Sequence, residues 1–253
     1  MCIKDCPTNC LEFSESKIPQ YINGGKDICF GCQHCFSVCP AGALSFADKN
    51  PDNSESIGFG NSEDLKKLIK SRRSIRFYKN EDVPKDKLNK IIEILPYSPT
   101  ATNRDNLHFS IVETREKMDE IRRISYEKVM SLENTNPFID MVKRAYQNGN
   151  DLIYRGATSM IAVAIDKNNT SPGAEATDPI IAMSYVELYA QSLGLGTTWC
   201  GIAYIVATQI PEVYKLLNIP ENYTLGYTML LGVPNIKYAR TPQLDKFSVN
   251  LIK

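Results

Sequence analysis

Apolar positions along the second part of the chain recur at two spacings, and the alternation of the two predicts the elements. A helix is expected from Ser62, with Glu63 and Asp64 in its first turn and Leu65, Leu68 and Ile69 as its apolar stripe. A second follows Pro84, with Leu88, Ile91, Ile92 and Leu95 at helical spacing. Residues 108–113 and 158–165 are apolar and β-branched enough to read as strands, the second a buried one. Charged helical patterns fill 115–132 and 137–149 between them. The segment 178–193 is apolar almost all round, through Ile180, Ile181, Met183, Val186, Leu188, Tyr189 and Leu193. Such a helix is expected to be buried on most sides, inside the protein or inside a dimer. A helix near 208–217 and a strand near 224–231 complete the series.

No charged residue stands between Leu188 and Pro211, but Gln191, Ser192, three glycines and three threonines interrupt the run. It reads as buried core, not as a membrane span. Residues 47–61 are polar with Pro and Gly and read as a linker. They separate a short module, 1–46, from a larger domain, 62–253. The net charge of zero leaves no basic field for general nucleic-acid binding.

Seven of the eight cysteines fall within the first 39 residues. A secreted disulfide protein spreads its cysteines; thiols crowded at ligand spacing imply a reducing compartment, here the cytoplasm. No signal peptide is visible at the N-terminus. Cys29, Cys32, Cys35 and Cys39 with Pro40 make the run C-x2-C-x2-C-x3-C-P. This matches the bacterial ferredoxin pattern for iron–sulfur ligation. A zinc knuckle is the competing reading, but zinc sites pair two separated arms. Cys2, Cys6 and Pro7 resemble the second half of another such run. In two-cluster ferredoxins the fourth cysteine of each run serves the other cluster. The resemblance therefore implies that Cys6 completes the 4Fe-4S cluster of Cys29, Cys32 and Cys35. Cys2 and Cys39 would belong to a second cluster, whose other two ligands are not among these residues and would lie before Met1; a single cluster is the alternative. About four irons per chain are expected from the residues present. Cys10 is a spare thiol, a substitute ligand or a small buried residue.

A second set of chemistry-bearing residues lies in the larger domain. Arg72, Arg73, Ser74 and Arg76 fall within five positions and suit a phosphate. A solvated helix end is the simpler reading of that cluster taken alone. The run Ser98-Pro99-Thr100-Ala101-Thr102-Asn103-Arg104 then leads to His108-Phe109, and Gly194-Leu195-Gly196-Thr197-Thr198-Trp199-Cys200-Gly201 follows later. In this order the three segments strongly resemble the nitroreductase family of flavin enzymes, over about residues 62–242. The resemblance implies an α+β fold: a mostly antiparallel central sheet with helices, an intertwined homodimer, and FMN at the interface. Before it stands the small two-cluster-ferredoxin-like domain. Arg72, Arg73, Ser74 and Arg76 match the positions that hold the FMN phosphate and ribityl chain. Asn103 matches the residue at the flavin edge. Trp199, Cys200 and Gly201 match the loop beside flavin N5, and Arg240 resembles a C-terminal phosphate contact. The chain departs from the family where N-x-Q-P-W-H-F is replaced by Asn103-Arg104-Asp105-Asn106-Leu107-His108-Phe109, and where Leu244 stands near a second basic position.

The expected function is that of an FMN-dependent oxidoreductase. It would pass electrons through iron–sulfur and flavin to a small acceptor such as a nitroaromatic, quinone or enone. The donor would be NAD(P)H or a reduced ferredoxin-type protein. No catalytic side chain is required, because the flavin carries the chemistry. Cys200, His34 and His108 read as structural. Two alternatives stand beside this: an electron-transfer or redox-sensing protein without a small substrate, and a zinc-bearing binding module with a degenerate flavin domain. Specificity is expected to lie in the poorly patterned region 115–155.

Overall fold

In a computed structural model, which describes residues 1–133, 136–244 and 247–252, the chain forms two compact units. One comprises Met1–Phe59 together with Thr100–Asp105; the other comprises Gly60–Pro99 and the chain from Asn106 onward.

Among the described residues, the larger unit is built on four strands: β3 (Leu107–Val112), β4 (Ser159–Asp166), β5 (Gly196–Trp199) and β6 (Tyr223–Gly232). They lie in the order β3-β4-β6-β5, and every pairing is antiparallel. β4 is central and reads as a continuous apolar run because both of its faces are covered. Successive side chains point to opposite sides. Met160 and Ala162 face α5 (Arg115–Ser131), α6 (Pro137–Gln147), α8 (Gly201–Gln209) and α9 (Pro211–Leu216). Ile161 and Val163 face α4 (Lys85–Ile94) and α7 (Ala174–Ser192). Fully burying a Leu, Ile or Met side chain contributes about 1.5–3 kcal/mol, so β4 and its neighbours anchor both layers. Asp151 ties the outer layer together. It accepts from Arg122 Nε at 2.8 Å, from the Tyr126 hydroxyl at 2.9 Å and from the Gly156 amide at 2.9 Å.

Most elements fall where the spacing predicts them. The helix expected from Ser62 is α3 (Ser62–Ser71), and Asn61 caps it by accepting from the amides of Glu63 and Asp64. Two expectations need correction. The helix near 208–217 is two helices, because Pro211 has no amide hydrogen to continue α8 and instead opens α9. The helix expected from 178 starts a turn earlier, at Ala174, and carries Pro179 inside it. That ring packs against β6 at Gly226, where a Cβ would stand 2.7 Å from it. Only one side of α7 is buried within the chain. Ala182, Met183, Val186 and Ala190 are inaccessible, while Ile180, Ile181 and Tyr185 remain exposed.

The smaller unit holds α1 (Cys2–Asp5), α2 (His34–Ser37) and a hairpin of β1 (Leu11–Phe13) and β2 (Pro19–Tyr21). These elements are too short to leave a period in the sequence. Among the described residues, no helix is long and apolar enough to cross a membrane.

Candidate functional site

After α3 ends, the chain runs on as an extended segment that docks on the edge of β5. Ser74 bridges Thr197 in parallel, the Ile75 amide donates to the Thr197 carbonyl at 2.8 Å, and the Thr198 hydroxyl donates to the Ile75 carbonyl. Tyr78 reinforces the seam, its hydroxyl 3.2 Å from that of Thr198. Gly196 makes the approach possible, since a Cβ there would lie 2.8 Å from the Ile75 side chain. The basic cluster and the glycine-threonine-tryptophan segment, distant in sequence, thus meet on one sheet edge.

Within the basic cluster the side chains have different tasks. Arg72 donates to Glu187 of α7 at 3.1 Å, and that carboxylate is 7% exposed. Arg73 closes the end of α3, donating to the carbonyls of Arg72 and Lys70. Arg76 is exposed. Beyond β5, Trp199 tilts against Tyr227 at 5.4 Å, and Tyr227 stacks on Tyr204 at 5.5 Å. Cys200 caps α8: its sulfur accepts from the Ala203 amide at 3.4 Å and donates to the Ile153 carbonyl at 3.1 Å. Its amide donates to the Thr228 carbonyl, and its carbonyl accepts from the Thr228 hydroxyl. Burial pushes the Cys200 thiol up, away from the reactive thiolate. This cysteine is a packed cap, as the sequence suggests. Arg240 lies on an exposed stretch after β6.

The smaller unit gathers its thiols around one narrow cavity. Cys6, Cys10, Cys29, Cys32 and Cys35 line it together with Pro7, Leu11, Tyr21, Phe30 and Phe46. Left-handed turns at Gly31 and Gln33 fold the C-x2-C-x2-C loop so that its three sulfurs share this wall. Cys29 accepts from the Gly31 amide at 3.5 Å and the Tyr21 hydroxyl at 3.7 Å. Cys6 and Cys10 stand with their sulfurs 3.4 Å apart. Cys39 takes a different course and accepts from the Ala43 amide at 3.3 Å. Cys2 is buried beside α2. Among the described residues, no three of these side chains converge at the spacing of a single metal ion. The loop 100–105 also belongs to this unit, where the Asn103 amide donates to the Phe30 carbonyl at 3.3 Å. His34 pairs with Asp5 at 3.4 Å, and His108 lies 3.2 Å from the Ser110 hydroxyl.

Residues 69–233 match the Nitroreductase family. The chain belongs to the nitroreductase family. A Methanothermobacter thermautotrophicus protein carrying the provisional name NADH dehydrogenase/NAD(P)H nitroreductase is 29% identical over 68% of this chain and 78% of its own length. The FMN reductase [NAD(P)H] of Bacillus subtilis is 26% identical over 73% of this chain and 71% of its own. Among solved structures, a nitroreductase with bound FMN from Desulfitobacterium hafniense superimposes with a TM-score of 0.59 at 28% identity, covering 72% of this chain and 94% of that one. The nitroreductase match begins inside α3 and ends at the close of β6, so the cysteine module lies outside it.

In this member of the family, the sequence pattern points to the two segments that meet at β5 but not to all the residues that hold them together. Thr197, Thr198 and Tyr78 carry the seam, Glu187 orients Arg72, and Tyr204 and Tyr227 back Trp199. Glu187 had a faint signal: it is the only charged residue in the sequence between Asp178 and Glu212.

Proposed function

We propose that the chain reduces a small organic acceptor, a nitroaromatic, quinone or enone, and that its N-terminal unit holds a 4Fe-4S cluster. It is an FMN-dependent oxidoreductase, by its family and by relatives named as FMN reductase and as nitroreductase with bound FMN. The single observation that carries the reading is the seam between Ser74–Ile75 and Thr197–Thr198, which joins the two segments the flavin would need on one edge.

The donor set fits the flavin. Arg72 and Arg76, with Ser74 between them, present charge-assisted donors for a phosphate, and Glu187 holds Arg72 in place. Arg73 contributes by closing α3 and so fixing where the cluster of arginines begins. Trp199, with Tyr227 and Tyr204 behind it, offers a rigid aromatic wall beside the Cys200–Gly201 turn. Asn103 at the ring edge and Arg240 on the C-terminal stretch are proposed on the family's pattern. FMN, when bound, supplies the transfer of electrons from donor to acceptor. Protons come from solvent, since the Cys200 thiol is buried and engaged in capping α8. NAD(P)H is the proposed donor, following the relatives' names; reduced ferredoxin is the other.

The thiol set fits a cluster by its chemistry. Five sulfurs, which favour iron, surround a largely apolar cavity. A cluster takes one thiolate per iron and so spreads its ligands, whereas a single zinc ion needs them converging on one point. Cys29, Cys32 and Cys35 with a thiol from the first run would hold it; Cys39 and Cys2 are left for other service. When bound, a cluster supplies one-electron transfer. The proposed assembly is a homodimer.

Anaerobically purified protein tests the reading through its FMN, iron and sulfide contents and its NAD(P)H-driven turnover of a nitroaromatic. The expected result is one FMN per chain, about four irons, and steady turnover. Flavin without turnover, with any of the three acceptor classes, would favour an electron carrier. A colourless protein containing zinc would overturn the proposal.

A further inference from the structure

Three of the cavity's thiols come from one loop, so one corner of a four-iron cluster must be filled from elsewhere in the chain. Two cysteines are in position for it. Cys6 and Cys10 both line the cavity, and their sulfurs are in contact at 3.4 Å. Thiolates on different corners of a cubane point outward from its centre and stand well apart. Two sulfurs in contact therefore compete for one corner and cannot serve two. We propose that Cys6 and Cys10 are alternative ligands to the same iron, so that either can hold the cluster alone. The proposal rests on the cluster reading above.

The local fold explains how two thiols four residues apart reach one point. Asn9 adopts a left-handed conformation, φ 53°, and its amide returns to the Cys6 carbonyl at 3.2 Å. The turn so formed brings Cys10 back beside Cys6. The backbone of Cys10 is then fixed: its carbonyl accepts from the Ile22 amide at 3.1 Å and abuts Gly25, where a Cβ would lie 2.5 Å away. Its side chain is 2% exposed, which shields the sulfur from competing solvent ligands. Cys39 has no such position; its sulfur is held by the Ala43 amide and does not line the cavity.

Exchange at this corner needs no redox partner. The iron–sulfur bond to Cys6 breaks as the bond to Cys10 forms. The proton of the Cys10 thiol passes to the departing Cys6 thiolate, and the cluster keeps its charge and electron count.

Iron and acid-labile sulfide are measured per chain in the full-length protein and in Cys6→Ala, Cys10→Val and the double variant, all prepared anaerobically. Electron paramagnetic resonance is recorded before and after dithionite reduction. FMN content reports that each variant is folded, and Cys10→Val keeps the buried volume filled where alanine would leave a void. Both single variants are expected to keep the wild-type iron count, with an altered reduced-cluster spectrum for at least the one that loses the resident ligand. The double variant is expected to lose at least half of its iron or to show the spectrum of a three-iron species. Loss of iron from either single variant, in protein that retains FMN, overturns the proposal, because one of the two thiols is then indispensable. Full iron in the double variant overturns it as well. Wild-type protein that holds FMN but no iron would instead remove the cluster reading beneath it.

Discussion

Arg72 donates to Glu187 at 3.1 Å, with one partner nearly inaccessible and the other a third exposed. The residue therefore serves both the fold and the proposed phosphate site, and the two roles are separable. Arg72→Ala leaves a buried carboxylate unpaired, which costs about 2 kcal/mol at a partly exposed pair of this kind. The double variant Arg72→Ala/Glu187→Gln removes that orphaned charge. It is expected to regain most of the stability in chemical denaturation of the FMN-free protein. FMN affinity is expected to stay about tenfold or more below wild type in both, matching the loss of a charge-assisted hydrogen bond. Recovery of flavin affinity in the double variant would mean that Arg72 acts only through Glu187. The basic residues of this site were legible in sequence because their clustering is local. The partner was not, since it lies 115 positions away and nothing along the chain links the two.

At the scale of elements, the caps and periods worked where a helix has one wet face. α3, α4, α5 and α6 fall where their stripes predict. β5 and α8 were hidden because Leu188–Pro211 has no charged residue to mark a polar side, and even the exposed side of α8 carries an apolar residue, Ile205, so no amphipathic period shows. This same region forms the floor of the candidate site. Its weakest tolerance is at Gly196, which faces Ile75 at 2.8 Å for any added Cβ. Gly196→Ala is expected to cost about 1–3 kcal/mol through overpacking. The docked segment would be pushed off β5, so thermal unfolding shifts downward and FMN washes out while the far-ultraviolet dichroism keeps its shape. Unchanged melting with full flavin would show that the seam does not organise the site.

Across the whole molecule, apolar side chains remain uncovered in a single chain. Ile180, Ile181 and Tyr185 on α7, Leu65 and Ile69 on α3, and Ile236, Tyr238 and Leu244 after β6 are all exposed. The all-round apolar pattern of α7 predicts burial on most sides, and the chain alone supplies only one. The proposed homodimer would cover the rest. Stability is then expected to rise with protein concentration, because association binds the folded form alone. Ile181→Lys would shift the protein toward monomer in light scattering at micromolar concentration and weaken FMN retention with it. A wild-type protein that stays monomeric and equally stable on dilution would rule out this assembly.

The sequence by itself determined what neighbours along the chain decide. Helix starts follow from caps, strands from apolar runs, and ligand chemistry from cysteine spacing, because each depends on residues a few positions apart. Tertiary structure alone decided which of these pieces share a site. It paired Arg72 with Glu187 and set Ile75 on Thr197 and Thr198, across more than a hundred residues. It also brought the sulfurs of Cys6 and Cys10 into contact at the cavity lined by Cys29, Cys32 and Cys35. Burial and backbone pairing are collective properties of the packed chain, so no local pattern records them.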